Sequence, residues 1–328
     1  MFKPAMLAAA LFAAGGAASA ADACREAQTQ TGLATRLVQA ARHEYSQFPG
    51  HRLDAQGRIW KFGAVEAEAE LLFDPATGKP AAGQPDHVAW RRVWHYWTAL
   101  AATEQGSAEE HQLTSYPGLL ETAQTTGRPQ RVTVAAMLEQ LRNLDAAGSE
   151  PIRQAIVRAA VIDTPWSAAF ISYVMQQGGM NATQFRFAAS HANYIRQAFE
   201  GPEGYAYRAC DPRTTAPKVG DLLCYSRGAK PKVGFAQWRD KMAELDGRVK
   251  SHCDLVVEVD RAAQKIETIG GNVLQSVTQR RMKLNAAGLL SRGYQAEHYK
   301  PGPACARDPS CGKDNLNVQY WGVLLQLR

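Results

Sequence analysis

The sequence predicts an α+β protein in which helices pack on a small antiparallel sheet. In the first half of the chain, apolar residues recur at helical spacing. After Gly220 they occur instead in short runs that are rich in β-branched side chains and are separated by turn residues. Helices followed by a series of strands are typical of the α+β class, in which the helices lie against one face or end of a sheet.

Residues 1–20 have the pattern of a secretory signal peptide. A positive charge at Lys3 precedes an apolar run, and Ala18-Ser19-Ala20 supplies a small-x-small motif, after which we expect cleavage. Cys24 raises a lipoprotein alternative, but the three residues before it lack the leucine-small-small pattern of a lipidated cysteine. We therefore expect a periplasmic or secreted protein. No other stretch is long and apolar enough to span a bilayer, so we expect no stable membrane insertion.

Residues 21–150 are predicted to form a mainly helical N-terminal region. The segment 24–47 has helical periodicity, and the segments 131–145 and 151–162 are further helix candidates. The segment 87–102 has tryptophans at helical spacing, which favours a buried core face. A sugar-binding platform is the alternative interpretation of this aromatic stripe.

The second half of the chain is predicted to contain the sheet. Two turns, Asp260–Gln264 and Gly270-Gly271-Asn272, separate strand candidates and predict an antiparallel sheet or a small barrel. The strand candidates are Asp221–Ser226, Cys253–Asp260, Lys265–Ile269, Val273–Arg280 and Gln319–Gln326.

Six cysteines in an exported chain are expected to pair. Cys305 and Cys311 flank a short polar segment and are predicted to close a local loop. The other four allow three connectivities, which sequence alone does not resolve. They are Cys24, Cys210, Cys224 and Cys253. No CxxC or HxxxH spacing occurs, so we expect no bound metal.

The composition is that of a globular protein, with 45% hydrophobic and 21% charged residues. The net charge of +6 suits an anionic partner such as peptidoglycan or lipopolysaccharide, but it is equally common among secreted proteins in general. We expect no nucleic-acid partner, and the sequence does not identify a protein partner.

Ser167 is the candidate nucleophile. Thr164 or Asp163 is predicted to cap a helix whose first turn begins at Pro165, which places Ser167 in that turn. Backbone N–H groups in a first turn lack intrahelical partners, and the helix dipole favours negative charge there, so the position suits a nucleophile and an oxyanion. Ordinary helix capping by a serine is the alternative.

His252 and Asn272 are the candidate base and orienting group. His252 opens an apolar strand, and Asn272 ends the next one. If these strands form a hairpin, both side chains lie at the same end, and Asn272 can orient the imidazole towards Ser167. Asp254 is an alternative orienting group, because it lies two residues from His252 on the same strand face. His191, on a predicted helix, is either a second proton-transfer group, a substrate contact or a partly exposed helix histidine.

Several motifs resemble those of CHAP and NlpC-type cell-wall amidases and endopeptidases. Pro165-Trp166-Ser167-Ala168-Ala169-Phe170 resembles their Trp-Cys-x-x-Phe helix start, with serine in place of the nucleophilic cysteine. Gly220-Asp221-Leu222-Leu223 resembles their Pro-Gly-Asp strand entry, and Ser251-His252 resembles the start of their catalytic-histidine strand. Ile269-Gly270-Gly271-Asn272 resembles the turn that bears their third residue. The whole chain resembles an uncharacterised bacterial family allied to these enzymes, domain of unknown function 2272, which often has serine at this position.

The resemblance covers roughly residues 150–280 and implies a papain-like domain over residues 151–328. It implies hydrolysis of an amide bond in peptidoglycan stem peptides, with Ser167 as nucleophile, His252 as base and Asn272 as orienting group. Such hydrolysis needs no organic cofactor, and we expect none. We expect three further residues to contact the substrate: Trp166, His191 and Asp254.

The serine leaves other functions open, because a hydroxyl depends wholly on its base, whereas a thiol is partly ionised at neutral pH. One alternative is a catalytically inactive module that binds peptidoglycan or regulates wall enzymes. An exported toxin that uses the same chemistry is another.

Overall fold

The structure, a computed structural model, describes residues 24, 31–67, 88–103, 113–114, 132–139, 141–142, 145–227, 233–244, 249–296, 298 and 315–328. The predicted signal peptide and the Cys305–Cys311 pair lie outside these residues.

The described residues form seven α-helices, one 3₁₀ helix at Arg292–Tyr294 and ten strands. The helices are α1 (Thr31–Gln47), α2 (Ala89–Ala101), α3 (Val134–Glu139), α4 (Ala146–Asp163), α5 (Ser167–Gln177), α6 (His191–Glu200) and α7 (Phe235–Ala243). The strands are β1 (His51–Leu53), β2 (Ile59–Lys61), β3 (Leu113–Thr114), β4 (Val132–Thr133), β5 (Tyr207–Cys210), β6 (Leu222–Ser226), β7 (Ser251–Asp260), β8 (Lys265–Val273), β9 (Ser276–Lys283) and β10 (Tyr320–Leu327).

Eight strands form one sheet in the order β2-β1-β9-β8-β7-β6-β10-β5, and β3 pairs with β4 separately. Neighbours in the large sheet are antiparallel except β1 and β9, which run parallel. The α+β class is therefore confirmed, whereas the sheet is mixed and larger than the small antiparallel sheet that the sequence predicts. The extension arises because β1 and β2, from the first half of the chain, join the sheet through β9, and because β5, which was not among the strand candidates, joins it through β10. The division of the chain at residue 150 stays a prediction.

Helix α5 lies in the middle of the larger apolar core. All of its residues from Ser167 to Met175 are buried, as expected for a helix that is apolar on every side. It packs against α1 and α2 on one side and against β7 and β8 on the other. The core thus holds the start of α5 in a fixed position relative to β7.

The aromatic stripe of α2 belongs to this core. Trp90, Tyr96 and Trp97 are buried. Tyr96 contacts Trp166 and Phe170, with ring centroids 5.9 and 5.5 Å apart, respectively. This packing confirms the core interpretation of the stripe.

The sheet separates two apolar clusters. Cys253 and Leu255 of β7 belong to the larger cluster on the helix side, whereas Val256 belongs to a second cluster on the other face. Because successive side chains of a strand point to opposite faces, His252 and Asp254 share the face of Val256.

Two disulfides join the four cysteines whose pairing the sequence left open. Cys24 is bonded to Cys210, and Cys224 is bonded to Cys253 across the β6–β7 ladder. Such bonds persist in oxidising compartments outside the cytoplasm. Every described helix is too short or too polar to cross a membrane.

Candidate active site

The helix that carries Ser167 begins at Ser167 itself, so the expected first turn at Pro165, with a cap from Thr164 or Asp163, is wrong. Asp163 ends α4, and Thr164 has an extended backbone (φ −106°, ψ 115°). A residue that precedes proline is disfavoured in the α region, which separates the two helices at this point. Trp166 is the N-cap residue of α5, and its side chain makes no capping hydrogen bond.

Ser167 has the surroundings of a helix start. The first backbone hydrogen bond of the turn runs from the Phe170 N–H to the Trp166 carbonyl. The N–H groups of Ser167, Ala168 and Ala169 therefore precede the regular ladder of the helix. The Ser167 side chain is only 3% exposed, so its hydroxyl needs a partner within the protein.

That partner is His191, the first residue of α6. Ser167 Oγ lies 2.7 Å from His191 Nε2, and the Tyr194 hydroxyl is hydrogen-bonded to Nδ1 of the same ring. A neutral imidazole has one donor and one acceptor nitrogen. When Nε2 accepts a hydrogen bond from the Ser167 hydroxyl, Nδ1 carries the ring proton and donates a hydrogen bond to the Tyr194 oxygen. Tyr194 is one helical turn after His191, so a single helix orients the ring.

His252 and Asp254 form a second pair beside the first. His252 Nε2 lies 2.8 Å from Asp254 Oδ1. The other carboxylate oxygen, Oδ2, accepts a hydrogen bond from the Thr268 hydroxyl at 3.2 Å and lies 3.0 Å from Arg280 Nε. All four side chains are fully buried or nearly so, and Asp254 is held by three groups at once.

The two pairs meet at adjacent imidazoles. The ring centroids of His191 and His252 are 5.2 Å apart. Nδ1 of His252 is buried and has no hydrogen-bond partner among the described residues. Since Nε2–H donates to the Asp254 carboxylate, Nδ1 presents a lone pair. Buried polar atoms are rarely left unpaired, and catalytic sites are among the places where this occurs.

His252 and Asp254 lie near the start of β7, beyond the end of its pairing with β8. β8 pairs with β7 from Asp260↔Lys265 to Leu255↔Ile269. β6 pairs with the other edge of β7 from Leu255 to Ser251, so Asp254 and His252 are held in register by β6. On the β8 side they lie just beyond the last pair of the β7–β8 ladder.

Gly270 of β8 faces the His252–Asp254 pair closely. A Cβ atom at Gly270 would lie 1.8 Å from Asp254 Oδ1 and 2.9 Å from His252 Nε2. Glycine is required here because no side chain fits between the backbone of β8 and the pair.

The electrostatic surroundings keep both imidazoles neutral. Burial, then the neighbouring His252 ring and the Arg227 guanidinium, lower the pKa of His191 well below its ordinary value of 6.5. Burial also lowers the pKa of His252, and it outweighs the opposing effect of Asp254. Burial alone would raise the pKa of Asp254, but the charge of Arg280 and the interaction with His252 hold it below its ordinary value of 3.8. At neutral pH the cluster thus contains two neutral bases and one carboxylate.

Trp166 is fully buried and connects the start of α5 to the first half of the chain through a hydrogen bond. Its Nε1–H donates a hydrogen bond of 2.6 Å to Glu66 Oε2. Burial raises the pKa of Glu66 to about 7, although the bond from Trp166 opposes this shift. The expected contact of Trp166 with substrate stays a prediction.

Asn272 lies in β8, half-buried, with a left-handed backbone (φ 54°). Asparagine is enriched in this conformation, which gives a backbone reason for the residue type. The hydrogen bond of the His252 ring goes to Asp254 rather than to Asn272. The orienting role of Asn272 stays a prediction.

Of the residues predicted from sequence, the structure joins Ser167 to His191 and His252 to Asp254. The sequence contained both partners as candidates but did not pair His191 with Ser167. Three other members of the cluster were not identified: Tyr194, Thr268 and Arg280. Tyr194 has a detectable signal, because its spacing from His191 places both on one helix face. Arg280 has none, since nothing along the chain distinguishes a buried arginine from the exposed ones.

Comparison with known proteins gives a family but no described function. Residues 84–327 match the model of a family described as "Uncharacterized protein conserved in bacteria (DUF2272)". This span is well over half of the chain and includes Ser167, His191, His252 and Asp254. No curated protein and no solved structure matches the chain. The chain therefore belongs to the DUF2272 family of bacterial proteins.

Proposed function

We propose that this protein is an exported hydrolase that cleaves an amide bond in peptidoglycan stem peptides, with Ser167 as the nucleophile. The observation that carries the proposal is the 2.7 Å separation between Ser167 Oγ and His191 Nε2. A hydroxyl at the first residue of a helix, bonded to a neutral imidazole that a third group orients, has the geometry that acyl transfer requires.

In the proposed reaction, Ser167 Oγ attacks the amide carbonyl while His191 Nε2 accepts the hydroxyl proton. The C–N bond then breaks, and the imidazolium returns the proton to the leaving amine. Water next attacks the acyl-enzyme ester as a neutral imidazole accepts one of its protons. The ester bond to Oγ then breaks, which releases the acid, and that proton returns to Oγ and restores the Ser167 hydroxyl. Backbone N–H groups of the Trp166–Ala168 turn stabilise the oxyanion in both steps.

The His252–Asp254 pair supplies a second base. Asp254 accepts a hydrogen bond from His252 Nε2–H, so Nδ1, which has no partner among the described residues, is the nitrogen available to accept a proton. We assign it to the water of the second step. In the alternative assignment, which rests on the sequence resemblance, His252 deprotonates Ser167 and Asn272 orients the ring.

The choice of substrate and of a papain-like fold rests on sequence. The likeness of Trp166-Ser167 and Ser251-His252 to the helix start and histidine strand of CHAP and NlpC-type hydrolases supports both. Two disulfides and the expected signal peptide support a location where peptidoglycan is accessible.

The test is digestion of purified sacculi by the protein without residues 1–20, measured as new amino groups and released muropeptides. We expect Ser167→Ala and His191→Ala each to lower the rate by a factor on the order of a million, as loss of a nucleophile or its base does elsewhere. His43→Ala and Ser46→Ala are matched controls, because both side chains are exposed and lie outside the cluster.

The outcomes separate the assignments. Activity that survives Ser167→Ala contradicts the nucleophile. Full loss in His252→Ala combined with activity in His191→Ala favours the alternative assignment of the base.

The burial of Ser167 favours a second candidate, a catalytically inactive module that binds peptidoglycan or regulates wall enzymes. A nucleophile that is 3% exposed needs a route for its substrate, whereas a binding module does not use the hydroxyl. This candidate predicts co-sedimentation with sacculi, no digestion, and binding that Ser167→Ala leaves unchanged.

A further inference from the structure

The β6–β7 ladder continues beyond the end of β6. Tyr225 pairs with His252 and Ser226 with Ser251. The Arg227 N–H then donates a hydrogen bond of 2.7 Å to the Lys250 carbonyl. Arg227 and Lys250 are thus the next pair opposite each other in the same register.

Their position in this register gives the direction of both side chains. In an extended ladder, residues two apart lie on the same face. Arg227 follows Tyr225 by two residues, and Lys250 precedes His252 by two. Both cations therefore belong to the face that bears the His252 ring.

Burial changes sharply along this face. His252 is 1% exposed, whereas Arg227 and Lys250 are exposed. The two cations thus mark the point at which the buried cluster approaches solvent along β6 and β7.

The two charged side chains that the structure describes at this point, Arg227 and Lys250, are both cations. The Arg227 guanidinium is close enough to act on both His191 and His252, whose pKa values it lowers. The carboxylate of the cluster, Asp254, is buried and already engaged by His252, Thr268 and Arg280. Asp254 is therefore not available to pair with either exposed cation.

We propose that Arg227 and Lys250 form a carboxylate-binding site at the edge of the Ser167–His191–His252 cluster, which selects acidic peptides as substrates. This inference rests on the proposed function and names the substrate group that the site recognises. An arginine guanidinium binds a carboxylate through two parallel hydrogen bonds, and an adjacent lysine ammonium adds a third donor. We expect a substrate held in this way to bring an amide bond towards the two imidazoles.

The test compares two forms of one substrate. Muropeptides prepared from sacculi are used as they are, or after conversion of their carboxylates to carboxamides with a carbodiimide and ammonia. Binding to the Ser167→Ala protein is measured by titration calorimetry, and hydrolysis is measured with the unaltered protein.

We expect the carboxylate form to bind about tenfold more tightly than the amidated form, in line with exposed charge-assisted hydrogen bonds. Introducing both Arg227→Gln and Lys250→Gln into the Ser167→Ala protein should abolish this preference and leave the affinity for the amidated form unchanged. Arg239→Gln is the matched control, because Arg239 is exposed on α7 outside the ladder, and it should retain the preference.

Equal binding of the two forms, binding of neither form, or a preference that survives the double substitution would overturn the carboxylate site. Absence of hydrolysis by the unaltered protein, with the binding preference intact, would overturn the proposed hydrolysis alone.

Discussion

A serine hydroxyl attacks an amide only when a neutral base receives its proton. In the proposed mechanism the base is the His191 imidazole, which the fold shields from water, and shielding disfavours the charged form. His191 therefore stays an acceptor at pH values at which an exposed histidine is protonated. Burial also lowers the pKa of the adjacent His252, although Asp254 opposes this shift.

At the residue scale, we expect the acid limb of the pH profile to lie below pH 6.5. In the proposed mechanism the neutral imidazole is the active form. Because the pKa values of both His191 and His252 are lowered, we expect activity to be retained as the pH falls through 6.5. The measurement is kcat/KM on muropeptides between pH 4 and 8. A limb at or above pH 6.5 would show that the base is an ordinary exposed histidine.

The contacts at this scale were only partly predictable from sequence. His252 and Asp254 are two residues apart on one strand, so period-two alternation was enough to suggest their contact. Ser167 and His191 are on different helices. Their hydrogen bond depends on how α5 and α6 are placed in the fold, which no local pattern encodes.

At the scale of elements, the His252–Asp254 pair lies just beyond the last pair of the β7–β8 ladder, Leu255 with Ile269. Gly270 follows Ile269, and its lack of a side chain lets the β8 backbone approach Asp254 and His252. The sequence showed the glycines as a turn between strands. The structure instead places Gly270 inside β8.

We expect Gly270→Ala to displace the His252–Asp254 pair. Its Cβ would lie 1.8 Å from Asp254 Oδ1, so strand or carboxylate must move, at a cost of about 1–3 kcal/mol in the free energy of unfolding. Urea denaturation and the digestion assay measure the two effects.

Gly32→Ala is the control for this substitution. Its Cβ would meet its nearest atom at 3.9 Å, an ordinary contact, and alanine is favoured within α1. Gly32→Ala should leave digestion unchanged and stability equal or slightly higher. Full activity in Gly270→Ala would remove the pair from the mechanism.

The bounds of the elements show where local sequence rules suffice. Helical periodicity indicated α1 and α2, and alternation indicated β7 and β8. The start of α5 was misjudged because proline at a first helical position and proline before a helix share one local pattern. The extended backbone of Thr164 distinguishes the two.

At the scale of the whole molecule, the large sheet combines both halves of the chain. The strand β1 has only three residues, and its partner β9 lies more than two hundred residues later. A strand of this length shows no alternation, and a parallel pairing between distant segments has no sequence signal. The class was therefore predictable, but the extent of the sheet was not.

Buried acids give the stability of the molecule an unusual pH dependence. Burial raises the pKa of Glu66, and that of Asp221, to about 7. An acid whose folded pKa is raised stabilises the fold below its unfolded pKa, near 4, and this contribution is lost as the pH rises through 7. The buried histidines act oppositely, since their lowered pKa values reduce stability as the pH falls below 6.5.

We expect Glu66→Gln to remove part of the loss of folding stability that occurs as the pH rises. The glutamine amide oxygen can still accept the Trp166 Nε1–H bond, but it does not ionise. The free energy of unfolding of the variant should therefore rise relative to the unaltered protein between pH 5 and pH 8, as measured by urea denaturation. A difference that does not change with pH would show that Glu66 is ionised throughout. Glu150→Gln is the control, because Glu150 is exposed.

The bond between Cys24 and Cys210 has a consequence for how the chain withstands proteases. It closes a covalent ring that spans 186 positions and includes α1, α2 and the helix that carries Ser167. A cut in any loop within this ring opens the ring without releasing a fragment. A nicked molecule thus keeps its two halves together for as long as its surroundings stay oxidising.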